Sequence, residues 1–268
     1  MDIRIMIAMH KPYDMPQDEI YLPIFVGAEG KDNFGICGDN TGDNISLKNP
    51  GYCELTGVYW GWKNLTADVV GLVHYRRYFT ARSRAYRKHH PLMECVLTRT
   101  QVQEALEEAD ILVPKKRRYY IENLYSHYAH TFDGRHLDMV ADIIRSKYPK
   151  DVPYISKVYQ RTWGYMFNMF VMKKKWYDDY CSWLFPILFS LEDLMKQEES
   201  LQQLSAFEGR LYGRVSEILF NVWLEKQLAN HVTIKELTYM HMEPINWMRK
   251  GTDFLKAKFV GTKYKESF

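Results

Sequence analysis

Residues 67–79 read ADVVGLVHYRRYF. Ala67–Val73, apolar but for Asp68, is a short continuous run rather than an alternating one, the pattern of a strand covered on both faces of a parallel sheet. Where that strand must leave the sheet stand His74, Tyr75, Arg76, Arg77 and Tyr78. Outward from it, Ile3–Met9 is another apolar run of strand length, followed by His10 and Lys11 and stopped by Pro12. Tyr21–Val26 is a third, opening into Gly27, Gly30, Gly35, Gly38 and Gly42 among Asp and Asn, which is loop chemistry.

Cys53–Asn64 carries Leu55, Val58, Tyr59 and Trp62 at helical spacing, Thr98–Glu108 is amphipathic, and Asp110–Val113 is a strand ended by Pro114. Strand, helix, strand, helix, strand predicts an α/β sheet with helices on both faces. Further on, Ile121–Gln160 reads as short helices, Met166–Met172 as a strand, and Lys174–Glu199 as a long helix containing Pro186. Arg210–Leu228 is a last helix with an apolar stripe, so the expectation is a single domain over residues 1–268 with a helical C-terminal part.

Of the 268 residues, 46% are hydrophobic and 26% charged, which excludes disordered and collagen-like chains. Cys37, Cys53, Cys95 and Cys181 are widely separated, which gives no zinc or disulfide pattern. With no leader-like N-terminus and no bilayer-length apolar run, the sequence reads as cytoplasmic. The net charge of +3 is unevenly spread: Asp14–Glu54 holds eight carboxylates against Lys31 and Lys48, Val69–Met93 holds six bases and no acid, and Arg249–Phe268 nets +4. A nucleic-acid partner is not expected from so small a total without a recognised motif. The tail mixes bases with Phe254, Leu255 and Phe259, which suits peripheral contact with an anionic membrane surface.

Ligands of open α/β sheets bind outside the carboxyl ends of the strands, which puts His10-Lys11 and His74–Arg77 on one rim. Consecutive arginines there need a partner, and guanidinium forks match a diphosphate. A solvated loop with one arginine paired to Asp68 or Glu54 is the plainer reading. Residues 82–91 are expected as a mobile or ligand-ordered loop. Gly38–Asn44, with Asp39, Asn40 and Asp43, offers carboxylates and amides to a nucleoside, although a plain turn has the same composition.

No Asp-x-Asp occurs, so a divalent cation, manganese or magnesium, lacks its usual ligand pair, and side-chain cations provide a metal-independent route. Glu217 is the candidate general base, with Glu208, Asp43 and Glu54 as competitors and pairing to Arg210 or Arg214 as its plain role. Arg161, Asn168 and Tyr75 are candidate acceptor or sugar contacts. His127 and His130 lie on an expected helix, where a structural role is the default.

The blocks HKPY at 10–13, GDNTGDNIS at 38–46, YCELTGVYWGWKN at 52–64, GLVHYRRYF at 71–79, LYSHYAH at 124–130, MFNMF at 166–170, GRVSEILFNVWL at 213–224 and the FLKAKF tail resemble bacterial capsular and lipopolysaccharide glycosyltransferases that share a domain of unassigned function. The resemblance implies a GT-A-like fold with a Rossmann-type mixed sheet and transfer of a sugar from a nucleotide diphosphate to a glycan. It implies a nucleotide-sugar half over 1–115, an acceptor-binding helical half over 116–248 and a basic tail over 249–268.

By that resemblance His10 and Asp39 lie near the nucleoside. His74, Arg76 and Arg77 replace the metal-binding acids, Lys11 assists them, and Glu217 takes the place of the base in inverting relatives. The expectation is an inverting hexosyltransferase, galactose-type, using a UDP-sugar and a lipid-linked or oligosaccharide acceptor. Its alternatives are a retaining transferase on the same fold and a noncatalytic nucleotide- or glycan-binding module.

Overall fold

The computed structural model describes residues 1–197 and 208–244. The tail at 249–268 lies outside the described residues. In chain order the elements are β1 (Ile3–Met9), β2 (Tyr21–Phe25), β3 (Cys37–Gly38), α1 (Asn49–Tyr52), α2 (Leu55–Asn64), β4 (Val69–His74), β5 (Arg77–Thr80), α3 (Arg84–Arg87), α4 (Arg99–Glu108) and β6 (Ile111–Pro114). There follow β7 (Arg117–Arg118), α5 (Leu124–Thr131), α6 (Arg135–Lys147), α7 (Val152–Tyr159), β8 (Trp163–Gly164), β9 (Phe170–Lys173), α8 (Lys174–Gln197), α9 (Leu211–Ala229) and β10 (Ile234–His241).

Strands β3, β2, β1 and β4 are parallel neighbours, with Ile5 opposite Tyr21 and Ala8 opposite His74. Antiparallel β9 then lies on β4, with Leu72 opposite Phe170, and β6, β10 and β5 follow in order. β5 returns to β4 at His74 opposite Arg77. The result is the expected mixed α/β sheet with helices on both faces. β1 shows why its sequence reads as continuous: Ile3, Ile5, Ile7 and Met9 join one apolar cluster with Leu97, Val102 and Leu106, while Met6 and Ala8 join the larger one on the other face. Each buried Ile or Met of this strand contributes about 1.5–3 kcal/mol by leaving water.

Three expectations change. The helix foreseen over Cys53–Asn64 starts only at Leu55, as α2, because Cys53 takes a left-handed backbone at φ 52° and ends the short α1 before it. The strand foreseen from Met166 starts only at Phe170, since Phe167 and Asn168 are also left-handed, at φ 77° and 52°. Residues 82–91 are not bare loop: Ser83 caps the short α3, and Tyr86 stacks on His90 at 3.8 Å between ring centroids.

β5 and β10 were not expected at all. β10 faces the core only at intervals, so it lacks both the alternating and the continuous signature.

Candidate active site

β1 and β4 run parallel, so His10, Lys11 and the 74–77 segment do emerge on one rim. Tyr75 centres a cluster there. Its ring meets those of His10 and Tyr13 edge-on at 5.2 and 5.1 Å, Lys11 Nζ lies 5.7 Å from its centroid and the Arg76 guanidinium 5.1 Å. Tyr75 is itself buried, a platform for these groups rather than an open contact. The His10 imidazole is held below its ordinary pKa, first by partial burial and then by the charges of Arg76, Lys11, Arg210 and Lys31. Four cations around a neutral ring form a field for a polyanion.

Arg76 and Arg77 do not act as a pair. Arg76 stands in the turn between β4 and β5 whereas Arg77 opens β5, and Arg76 leans over the Tyr75 ring while Arg77 lies 4.5 Å over the Phe167 ring. Arg76 also makes an exposed 3.4 Å ion pair with Glu243, worth little in water. Arg77 instead faces two carboxylates, Glu217 and Glu54; burial lowers its pKa and those charges partly restore it.

Glu217 sits on the second turn of α9 and keeps part of its surface accessible. Its carboxyl is pushed up to about 7, by desolvation first and by Glu54 second, against the pull of Arg214, Arg77 and Arg117. Such a group is half ionised near neutrality, the condition for a general base. Arg210, Arg214 and Glu217 share one helical face at spacings of four and three, the signal from which this cluster is readable in sequence. Arg210 Nε donates to Cys53 Sγ at 3.1 Å, and the Arg214 guanidinium lies 4.3 Å over Phe132. Gly213 lets α9 approach the α1 end: a Cβ there would stand 3.2 Å from Cys53 Cβ.

Asn168 joins these parts. Its Nδ2 donates to Glu54 Oε1 at 2.7 Å and to the Gly213 carbonyl at 3.0 Å, and its Oδ1 accepts from Ser216 Oγ at 3.1 Å. A buried amide with these partners holds the site together and does not reach out to a sugar, the role expected of it. Asn221 pins α9 in the same way, accepting from Tyr165 N and donating to Tyr165 O, each at 2.8 Å.

Other expected site residues have different work. His74 Nε2 donates to the Phe167 carbonyl at 2.6 Å, and burial holds its pKa down, so it braces the left-handed turn as a neutral ring and brings no charge to a diphosphate. Asp39 is fully buried, and its oxygens accept from Gly27 N, Ala28 N and Ser46 Oγ. It therefore pins the loop after β2 and offers nothing to a nucleoside. Asp43 is exposed but accepts from Tyr59 OH at 3.2 Å on α2, and Asn40 lies across Gly38, where a Cβ would meet its Oδ1 at 2.4 Å. Arg161 converges with Lys157 on Glu225, two turns along α9 from Glu217, and so stands away from the base. Of the competing acids, Asp43 is remote in role and Glu54 belongs to the site; the Glu208 side chain lies outside the described residues.

Among the described residues no group of His, Cys, Asp and Glu is arranged to hold a metal. The end of β4 carries His74 through Arg77 and no acid. This donor set does not fit a divalent ion.

The family described as a domain of unknown function, DUF4422, matches residues 4–228. The chain belongs to the DUF4422 family. This DUF4422 chain is also similar to a solved structure described as the apo form of WbbM, a bifunctional glycosyltransferase. The two share 33% identity and a TM-score of 0.80 over 91% of this chain and 46% of that one. This DUF4422 chain thus spans about half the length of that protein. No curated protein matches it.

Proposed function

We propose that this protein is a glycosyltransferase that moves a hexose, galactose-type, from a UDP-sugar to a lipid-linked or oligosaccharide acceptor with inversion at the anomeric carbon. The likeness to a bifunctional glycosyltransferase supports the reaction class. The observation that carries the mechanism is Glu217, poised near neutrality beside Arg77 on the helix that follows Arg210, whose charge acts on both Glu217 and His10.

In this reading Glu217 takes the proton of the acceptor hydroxyl as its oxygen bonds to the anomeric carbon. The bond from that carbon to the diphosphate oxygen breaks, and UDP leaves with the electron pair. Arg76, Lys11, Lys31 and Arg210 neutralise the leaving diphosphate, and Arg77 bridges the two halves of the site. No step is assigned to a metal, because the residues present do not fit one.

The test is incubation of the purified protein with UDP-hexoses and a soluble glycan acceptor, followed by NMR of the product. Transfer with inverted anomeric configuration is expected. Retained configuration would remove Glu217 from the role of base, and binding of UDP without any turnover would make the protein a nucleotide-binding module.

A further inference from the structure

Between β6 and α5 the chain reads KKRRYYI at 115–121. Lys115 and Arg118 are exposed. Tyr120 is 81% exposed and Ile121 52%, adjacent large apolar side chains turned to solvent. Tyr120 does this from a left-handed backbone at φ 54°, a conformation costly for a non-glycine residue and one that persists where surrounding structure enforces it. The next acid does not offset the charge. Glu122 is buried, and its carboxylate receives His127 Nδ1 at 3.1 Å and His130 Nδ1 at 2.7 Å. Lys116 is taken up by Glu236 at 2.9 Å.

Within seven residues the segment therefore exposes Lys115 and Arg118 together with Tyr120 and Ile121, with no acid among them. The short β7–β8 ribbon fixes it, with Arg117 opposite Gly164 and Arg118 opposite Trp163. Arg117, from the same strand, acts on Glu217 and Tyr239, so the ribbon also adjoins the candidate base. Basic and apolar side chains together on one exposed surface are the requirement for docking on an anionic lipid interface: the bases lie against headgroup phosphates and the rings enter the boundary layer.

We propose that residues 115–121 dock the protein on an anionic lipid bilayer, Tyr120 and Ile121 inserting among the headgroups and Lys115 and Arg118 lying against their phosphates. The inference rests on the transferase reading in one respect, that a lipid-linked acceptor would then arrive beside Glu217.

The test uses the full chain and sedimentation with vesicles of phosphatidylcholine alone or mixed with phosphatidylglycerol. Binding to the mixed vesicles only, weakened by salt, is expected. The variants Lys115→Glu/Arg118→Glu and Tyr120→Ser/Ile121→Ser should each lower partitioning about ten-fold or more, with unchanged melting temperature and unchanged UDP affinity. Wild-type binding retained by both variants would overturn the proposal by placing the contact elsewhere, the 249–268 stretch included. Failure of the wild type to bind the mixed vesicles would overturn it equally. Transfer to a soluble acceptor reports on the transferase reading alone, so the two ideas fail separately.

Discussion

The amide of Asn168 donates to the carboxylate of Glu54 across 114 positions of sequence, at 2.7 Å. The same nitrogen holds the Gly213 carbonyl one turn before Glu217, so one buried side chain fixes the separation of the two acids. Asn168→Ala should cost about 2–3 kcal/mol, because several buried polar groups lose partners. Chemical denaturation measures this. An unchanged midpoint would show that the contact does not organise the site.

Glu54 raises the proton affinity of Glu217, so its neutral variant should lower it. Transfer by the wild type should rise with pH through a midpoint of about 7. In Glu54→Gln that limb should move to lower pH, which a kcat–pH profile reads directly. Glu217→Gln should lose transfer, on the order of 100-fold or more, with UDP affinity retained. Full activity in that variant would remove Glu217 from the reaction.

Glu217 also makes stability depend on pH. Its folded value of about 7 lies above the 4.5 of an ordinary glutamate, so the native state holds a proton that the unfolded chain releases. Stability from this group is complete below the lower value and is lost as pH rises toward the upper one, by on the order of 3 kcal/mol. Glu217→Gln should abolish that loss, so its melting temperature should exceed the wild type at pH 8 and approach it at pH 4.5.

The two arginines should separate in experiment as they do in space. Arg76→Ala is expected to weaken UDP binding roughly ten-fold, an effect that shrinks with added salt. Arg77→Ala should act mainly on kcat and on the pH profile, because its guanidinium faces Glu217 and Glu54. Equal losses of UDP affinity in calorimetry would restore the picture of a bidentate pair.

At Gly213 a methyl group would press on Cys53 Cβ and Sγ, at 3.2 and 3.3 Å. Gly213→Ala should therefore displace the first turn of α9 and lower the melting temperature by an amount matching about 1–2 kcal/mol. Helix propensity alone would make the same change stabilising, so the sign of the shift decides whether this packing matters.

Much of the scaffold is visible in the residues. β1 and β4 announce burial on both faces, and Thr98 with Gln101 forms the capping box that starts α4. The rim position of His10 and the 74–77 segment follows from parallel pairing. What the residues do not disclose are the long-range partners. Asp39 looks like a loop acid until its carboxylate is seen bonded to the chain after β2. Asn168 looks like a polar group beside a strand until Glu54 and Ser216 are found on it. The divergence of Arg76 and Arg77 depends on β5, whose pairing with β10 joins segments far apart in sequence.

Because neighbouring residues of a single tight hairpin supply both the cation above Tyr75 and the cation beside Glu217, any substitution that reshapes that bend displaces both charges together.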